Sequence, residues 1–441
     1  MHKKYNVIIA GAGPAGLMAA IRAAQKGLKV LVVEKKATLS EALRTTGPFF
    51  RIKNPIHGEY LTLDKKNGKA TVHFHNSNFD VDYKGPLIDM YDAYFFSNAG
   101  YRLNTTRKDR PLSCVYSMSA LLGNLQDAAV GAGAEFMTGA IALTAENAEK
   151  HIRLQVRKGN TVSWLEADYI IAADGLNSRL AETMGMNKNR PVILQGPCFE
   201  IVFEGADFPY PPGISFVFGK DMLGGSGFLF VYPYAGGENR LCVMVNNRFP
   251  AHQSLKIINH FTQQSRFSSW FKKATPVHHT SAIVTIRSPM VTPSIGRMLF
   301  IGDAAAYGET LIPGAIRCGY YAAEAVQEEL SGNNGFKKYE EFWSSNFEYV
   351  TNPQKQKDYT KILRLFRSLE DEDVDFLFKL SEEKGPIEEK GDVLASNEFT
   401  KANALIDYFL AFPQVQGALR TKLQTVRGNG PSPDGTIKDD L

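Results

Sequence analysis

The stretch Val7-Ile8-Ile9-Ala10-Gly11-Ala12-Gly13-Pro14-Ala15-Gly16 decides the fold. Val7 to Ala10 is short, apolar and rich in β-branched residues, the pattern of a buried parallel strand. A helical stretch runs from Pro14 to about Lys26, with Leu17, Ile21 and Ala24 on one face. Gly27 stops it, and Leu28 to Val33 form a second strand ending at Glu34. Each position has a physical job in holding a dinucleotide. Gly11 permits the sharp strand-to-helix turn, Gly13 lets the backbone touch a pyrophosphate, and Gly16 lets the helix pack on the strand. The helix begins at Pro14 and Ala15, and the free amides and dipole of its start hold phosphate charge. Glu34 accepts hydrogen bonds from a ribose diol and repels a 2′-phosphate, which disfavours NADP and leaves FAD or NAD. A bare glycine motif is weak; strand, loop, helix, strand and terminal acid in sequence are strong.

Two later segments share this grammar. Ala167 to Ala173 is a strand that ends in Asp174-Gly175, and Met298 to Ile301 is a strand that ends in Gly302-Asp303. A helix is expected from near Gly314 through Ala315 and Ile316 to Ala325. Parallel strands deliver their C-terminal ends to the ligand crevice, which is where both acids fall. Taken singly, either Asp reads more readily as a turn former or helix cap.

Through these residues the chain resembles the flavoprotein hydroxylase superfamily, the para-hydroxybenzoate hydroxylase fold, and within it most closely the geranylgeranyl reductase family. The helical run Leu363 to Asp375 adds to the likeness. The resemblance implies an FAD cofactor. Gly11, Gly13 and Gly16 would bind its pyrophosphate, Glu34 the adenosine ribose, and Asp303 the ribityl chain and pyrophosphate side. The Pro313-Gly314-Ala315-Ile316 backbone would approach the isoalloxazine ring. Lys35 stands where the family often has a basic residue near the adenine, with a solvated lysine as the equal alternative. Arg44 would contact flavin phosphate or ring. Three features depart from the family: no cysteine in Arg44-Thr45-Thr46-Gly47, hydroxyls rather than an arginine in Val115-Tyr116-Ser117-Met118-Ser119, and an altered Thr310 to Ile316 loop.

Composition sets outer bounds. The chain has 441 residues, which suggests two or three modules at roughly 150 residues each. With 44% hydrophobic and 22% charged residues it reads as an ordinary globular protein. A net charge of +4 gives no ground for nucleic-acid binding. No apolar run is long enough to span a bilayer, and the N-terminus lacks a signal peptide's apolar stretch, so a cytoplasmic setting is expected. Peripheral contact with a membrane remains compatible with that setting. Cys114, Cys198, Cys242 and Cys318 are too scattered for a disulfide framework or metal site. His73 and His75 alternate on a strand without a third ligand, so no metal is expected there either. The 38 glycines and the 28 Phe, 18 Tyr and 3 Trp are the surplus that needs explaining.

Part of that surplus lies between Pro191 and Pro289. Ile214, Phe216 and Phe218 share one strand face, as do Phe228, Phe230, Tyr232 and Tyr234. Such a face is either plain core or the apolar wall of a substrate site. The expected architecture is α/β: a discontinuous Rossmann-type FAD-binding domain over 1–190 and 291–330, an inserted antiparallel-sheet substrate domain over 191–290, a helical region over 331–425 and a flexible tail over 426–441. Asp89 to Tyr101 and the basic Arg102, Arg107, Lys108 and Arg110 read as an insertion, and His278-His279 as surface. Gly224-Gly225-Ser226-Gly227 lies between strands without a helix, so no second nucleotide loop for a resident nicotinamide is present. Electrons would then come from transient NAD(P)H or a reduced carrier protein. Three functions follow from the resemblance: a reductase passing hydride from reduced flavin to a C=C bond of a hydrophobic, prenyl-like substrate; a flavin monooxygenase of an aromatic or alkene; or a flavin electron-transfer subunit.

Overall fold

The computed structural model describes residues 4–41, 47–51, 58–220, 228–237, 239–246, 251–306, 311–347, 350–352, 361–388 and 402–428. Strand β1 (Tyr5–Ala10), helix α1 (Pro14–Gln25) and strand β2 (Val30–Glu34) form the opening unit. Val7, Ile8 and Ile9 are fully buried, and each such side chain contributes about 1.5–3 kcal/mol of transfer free energy. Pro14 occupies the first turn of α1, where its missing N–H is not needed.

β1 sits in the first sheet between β2 and the strand Thr161–Ala172, parallel to both. Met298–Phe300 joins the far side of Thr161–Ala172, also parallel, with Ala172 opposite Phe300. The other half of Thr161–Ala172 turns antiparallel against Ile152–Lys158, and Glu135–Thr138 lies beyond β2. Helix α1 is buried along most of its length because the helices Met118–Gly131 and Leu311–Leu330 pack against it. Trp343 of the helix Gly335–Asn346 is fully buried and donates its ring N–H to the Met290 carbonyl at 2.7 Å.

The second large sheet runs in the order Thr275–Arg287, Val192–Glu204, Arg240–Asn246, Phe228–Pro233, Gly213–Val217, Asp92–Phe96, Arg102–Thr106 and Ile387–Glu388. It reaches outside 191–290 on both sides. The stretch expected to be an insertion supplies Asp92–Phe96 and Arg102–Thr106, and Asp92–Phe96 pairs parallel to Gly213–Val217. The sheet is therefore mixed, not wholly antiparallel. One face is covered by Ala251–Gln263 and the 3-10 turn Arg266–Phe271, through Ile258, Phe261 and Trp270. The other packs under the C-terminal helices through Leu365, Leu369, Leu377 and Phe378. A small meander, Leu61–Lys66, Lys69–Phe74 and Phe79–Tyr83, completes the fold. Its first turn is Asn67-Gly68, both at positive φ as a two-residue hairpin turn demands.

Candidate functional site

The registers Val33 to Ala10, Ala10 to Ala172 and Ala172 to Phe300 set four strand ends in line. Gly11, Ala173-Asp174 and Gly302-Asp303 therefore emerge side by side at one edge of the first sheet. Gly11 has φ +107°, and a Cβ there would stand 2.2 Å from the Ala173 carbonyl oxygen. A Cβ on Gly16 would stand 2.0 Å from the Gly11 carbonyl oxygen. These two glycines are dictated by packing. Gly13 is different: its backbone is ordinary (φ −78°, ψ 179°), and an added Cβ would meet nothing within 4 Å. It caps α1 without a side-chain hydrogen bond, so no side chain covers the first amides of the helix from this position. That is a cradle a Cβ would fill, and it fits a pyrophosphate.

Glu34 is buried, and backbone amides fix both of its oxygens. Ala12 N–H donates to Oε2 at 2.6 Å, and Lys36 N–H donates to Oε1 at 2.9 Å. Each oxygen retains a lone pair for a ribose hydroxyl. Lys35 is exposed, while Lys36 is anchored on the Leu39 and Glu41 carbonyls.

Gly302, at φ +59°, closes the site from the other side. A Cβ there would lie 3.1 Å from Ala15 Cβ and 3.8 Å from Ala315 Cβ. The opening loop, the Gly302-Asp303 turn and the helix carrying Gly314, Ala315 and Ile316 thus converge. Asp303 is half-buried on the 3-10 turn Gly302–Ala304. The helix starts at Leu311, ahead of the expected Gly314, because Pro313 falls in its first turn where proline is tolerated. At Gly319 it meets α1 backbone to backbone: a Cβ there would stand 2.1 Å from the Ala15 carbonyl oxygen. Arg44 lies outside the described residues.

Asp174 is turned inward. Its carboxylate accepts from Ser178 Oγ at 2.6 Å and from Leu180 N–H at 3.1 Å, so it braces the first turn of the helix Arg179–Thr183, whose N-cap is Ser178. Burial pushes its pKa above the ordinary carboxylate value, against the hydrogen bonds from Ser178 and Leu180. A raised folded-state pKa adds stability that is fully present below the unfolded value and lost as pH rises through the folded value. Asp174→Asn removes that titration. Wild type is expected to gain stability relative to the variant as pH falls through the folded pKa, measured by urea unfolding at a series of pH values. A constant difference between the two proteins would contradict it.

Phe216, Phe230 and Tyr232 form a continuous row, with ring centroids 4.9 Å and 5.1 Å apart. Phe49 meets Phe230 and Tyr232 edge-on at 5.7 Å and 5.0 Å. Phe218 lies 6.4 Å from Phe216 and stacks on Phe366 at 3.7 Å, and it shares one core with Phe216, Phe230, Tyr232 and the C-terminal helices. For Phe228 the structure describes only backbone pairing, opposite Asn246. Tyr232 is almost wholly buried and donates its hydroxyl to Glu200 Oε2 at 2.9 Å. Burial, then the neighbouring Cys242 and Glu200, pushes its pKa well above that of a free phenol.

Other candidates have local partners. His73 contacts Asp80 at 2.8 Å and Asp64 at 3.2 Å, and His75 contacts Thr62. His278 and His279 are exposed on Thr275–Arg287. The basic cluster is engaged locally: Arg102 lies over the Tyr210 ring at 4.5 Å, Lys108 is 3.7 Å from Glu388, and Arg110 is 3.7 Å from Asp109. Gly224 to Gly227 and the tail from 429 lie outside the described residues.

Sequence reading missed a buried polar network behind the site. Arg317, one residue beyond Ile316, pairs with Glu59 at 3.1 Å, and both are almost fully buried. Arg317 also donates to Ser77 Oγ at 2.8 Å and to Asn346 Oδ1 at 3.0 Å. A lone charge inside Ala315-Ile316-Arg317-Cys318-Gly319 was the available signal.

A Gly-rich loop, an anchored acid and two further strand-end turns at one edge of a parallel sheet are the arrangement of a dinucleotide-binding protein. Two family models, each described as an FAD binding domain, match the chain, one over residues 6–47 and the other over 55–307, and the chain belongs to the family of the second, which spans more than half of it. It is an FAD-dependent oxidoreductase. Among curated proteins it is similar to a digeranylgeranylglycerophospholipid reductase of Methanosarcina acetivorans, 27% identical over 85% of this chain and 87% of that one. The enzyme of the same name from Methanocaldococcus jannaschii is 24% identical over 92% and 97%. Among solved structures, a geranylgeranyl bacteriochlorophyll reductase-like protein from Thermoplasma acidophilum superposes with a TM-score of 0.68 at 18% identity. It covers 92% of this chain and 99% of its own, and it shares the fold. Among the described residues no helix is long and apolar enough to cross a membrane.

Proposed function

We propose that this flavoprotein is a reductase that saturates carbon–carbon double bonds in the isoprenoid chain of a lipid. The observation that carries the reading is its likeness to digeranylgeranylglycerophospholipid reductases along most of both chains. Bound and reduced, FAD supplies the hydride. The protein supplies position and exclusion of water. In this reading Gly13 and the start of α1 at Pro14 and Ala15 hold the pyrophosphate, Glu34 the ribose, and Asp303 the ribityl side. The backbone from Gly314 to Ile316 approaches the ring. In this reading the isoprenoid chain would run along Phe49, Phe216, Phe230 and Tyr232; Phe49 is half-buried, and the other three are buried in one apolar core with Phe218. Phe218 stacks on Phe366 in that core, and the Tyr232 hydroxyl is engaged by Glu200. Transient NAD(P)H or a reduced carrier protein delivers electrons, and the lipid is met by peripheral contact from the cytoplasmic side.

Product mass tests the reading. Chemically reduced protein incubated without oxygen with a polyprenyl lipid is expected to add two hydrogens per double bond. An oxygen atom gained only in air would replace this reading with a monooxygenase. No product unless a protein partner is added would make the chain an electron carrier.

A further inference from the structure

Arg190 sits where the chain leaves the first sheet for the second, two residues before Val192–Glu204 begins. Its half-buried guanidinium donates Nε to the Ser288 carbonyl at 2.7 Å and Nη2 to the Ala305 carbonyl at 2.8 Å. Nη1 donates to Asn187 Oδ1 at 2.8 Å and to the Ala304 carbonyl at 3.3 Å. The returning strand answers: Arg287 Nη1 donates to the Arg190 carbonyl at 3.1 Å, and Ser288 N–H donates to the Pro191 carbonyl at 3.0 Å. Met290 N–H donates to the Ala305 carbonyl at 3.0 Å. Both crossings between the sheets are thereby tied to each other and to the turn just after Asp303.

The acceptors are all neutral, and among the described residues no carboxylate pairs with Arg190. Burial, then the Arg287 cation, pushes its pKa down to about 10. A cation placed at such cost is poorly explained by stability alone, whereas its planar fork matches the backbone carbonyls it holds. We propose that Arg190 is a positioning residue for FAD: it fixes the Gly302–Ala305 turn so that Asp303 is presented to the cofactor, and it locks that turn to both crossings into the second sheet. The inference rests on the reading of Asp303 as an FAD-holding residue.

FAD titration of the deflavinated full-length protein tests it, with R190Q, R190K, D303A and the R190Q/D303A double variant, alongside melting of each apoprotein. D303A is expected to weaken FAD binding on its own. R190Q is expected to weaken it about ten- to a hundredfold, the scale of hydrogen bonds made by a charged group. R190K keeps the charge but not the fork and is expected to recover little. In the double variant the two losses should not multiply, because both act through one turn. If D303A binds FAD like wild type, the Asp303 reading fails and takes the inference with it. If D303A weakens binding but the double variant shows the full product of both losses, Asp303 stands and Arg190 is not its positioner. An R190Q effect confined to apoprotein melting, with FAD affinity intact, also overturns the proposal.

Discussion

A Gly13→Val protein is expected to fold and to emerge from purification colourless. Its backbone at that position is one any residue adopts, and a Cβ meets no protein atom within 4 Å. The valine methyls enter space that the pyrophosphate needs, so FAD affinity should fall at least about a hundredfold, the scale of a ~3 kcal/mol overpacking penalty. Neighbouring glycines provide the contrast. Gly11→Ala and Gly16→Ala drive a Cβ to 2.2 Å and 2.0 Å from backbone oxygens, so they should cost the fold itself. Circular dichroism and a flavin absorbance titration separate the two outcomes. Folded Gly13→Val protein with a wild-type flavin spectrum would mean that the cofactor does not approach this loop.

Glu59→Ala is expected to lower the unfolding free energy by about 3–5 kcal/mol, the usual cost of removing one partner of a buried ion pair. The number of groups stranded makes the case. Glu59 Oε1 accepts from the Tyr60 and Asn76 amides at 2.9 Å and 2.8 Å. Oε2 accepts from the Ser77 amide at 3.1 Å and the Ser77 hydroxyl at 2.6 Å, and faces Arg317 Nε at 3.1 Å. Alanine leaves these donors buried and removes the counter-charge from a guanidinium that is only 2% exposed. Arg317 follows the Gly314–Ile316 segment, so FAD affinity should decline along with stability. The check is urea unfolding with and without added FAD. A midpoint within error of wild type would show that the network relaxes at no cost.

These two sites also mark the limit of what the sequence discloses. The nucleotide loop was legible because glycine spacing, strand pattern and terminal acid are local, and each answers to a fixed steric or electrostatic need. The strand ends at Asp174 and Asp303 were legible as positions but not as jobs. Asp174 spends its carboxylate on Ser178 and Leu180, and no pattern distinguishes that brace from a ligand contact. The Glu59–Arg317 pair joins a residue just ahead of the meander to a helix, with Arg317 and Ser77 240 residues apart in the chain. No local pattern records such a meeting. The Arg190 clasp is hidden for the same reason. The aromatic face was visible as a period of two, yet what covers each ring depends on the C-terminal helices. That is why Phe218 falls under Phe366 while Phe230 meets Phe49. Asp92–Phe96 has the look of an insertion in the sequence because its parallel partner, Gly213–Val217, comes so much later in the chain.

Single-turnover reoxidation tests the central claim most directly. Protein reduced to the stoichiometric point without oxygen is mixed with a polyprenyl lipid, and flavin absorbance is followed in time. The expected result is oxidised flavin returning in step with one saturated double bond per FAD, at a rate that depends on lipid concentration. Flavin that stays reduced with the lipid and returns only on admitting oxygen, with an oxygenated product, would contradict it.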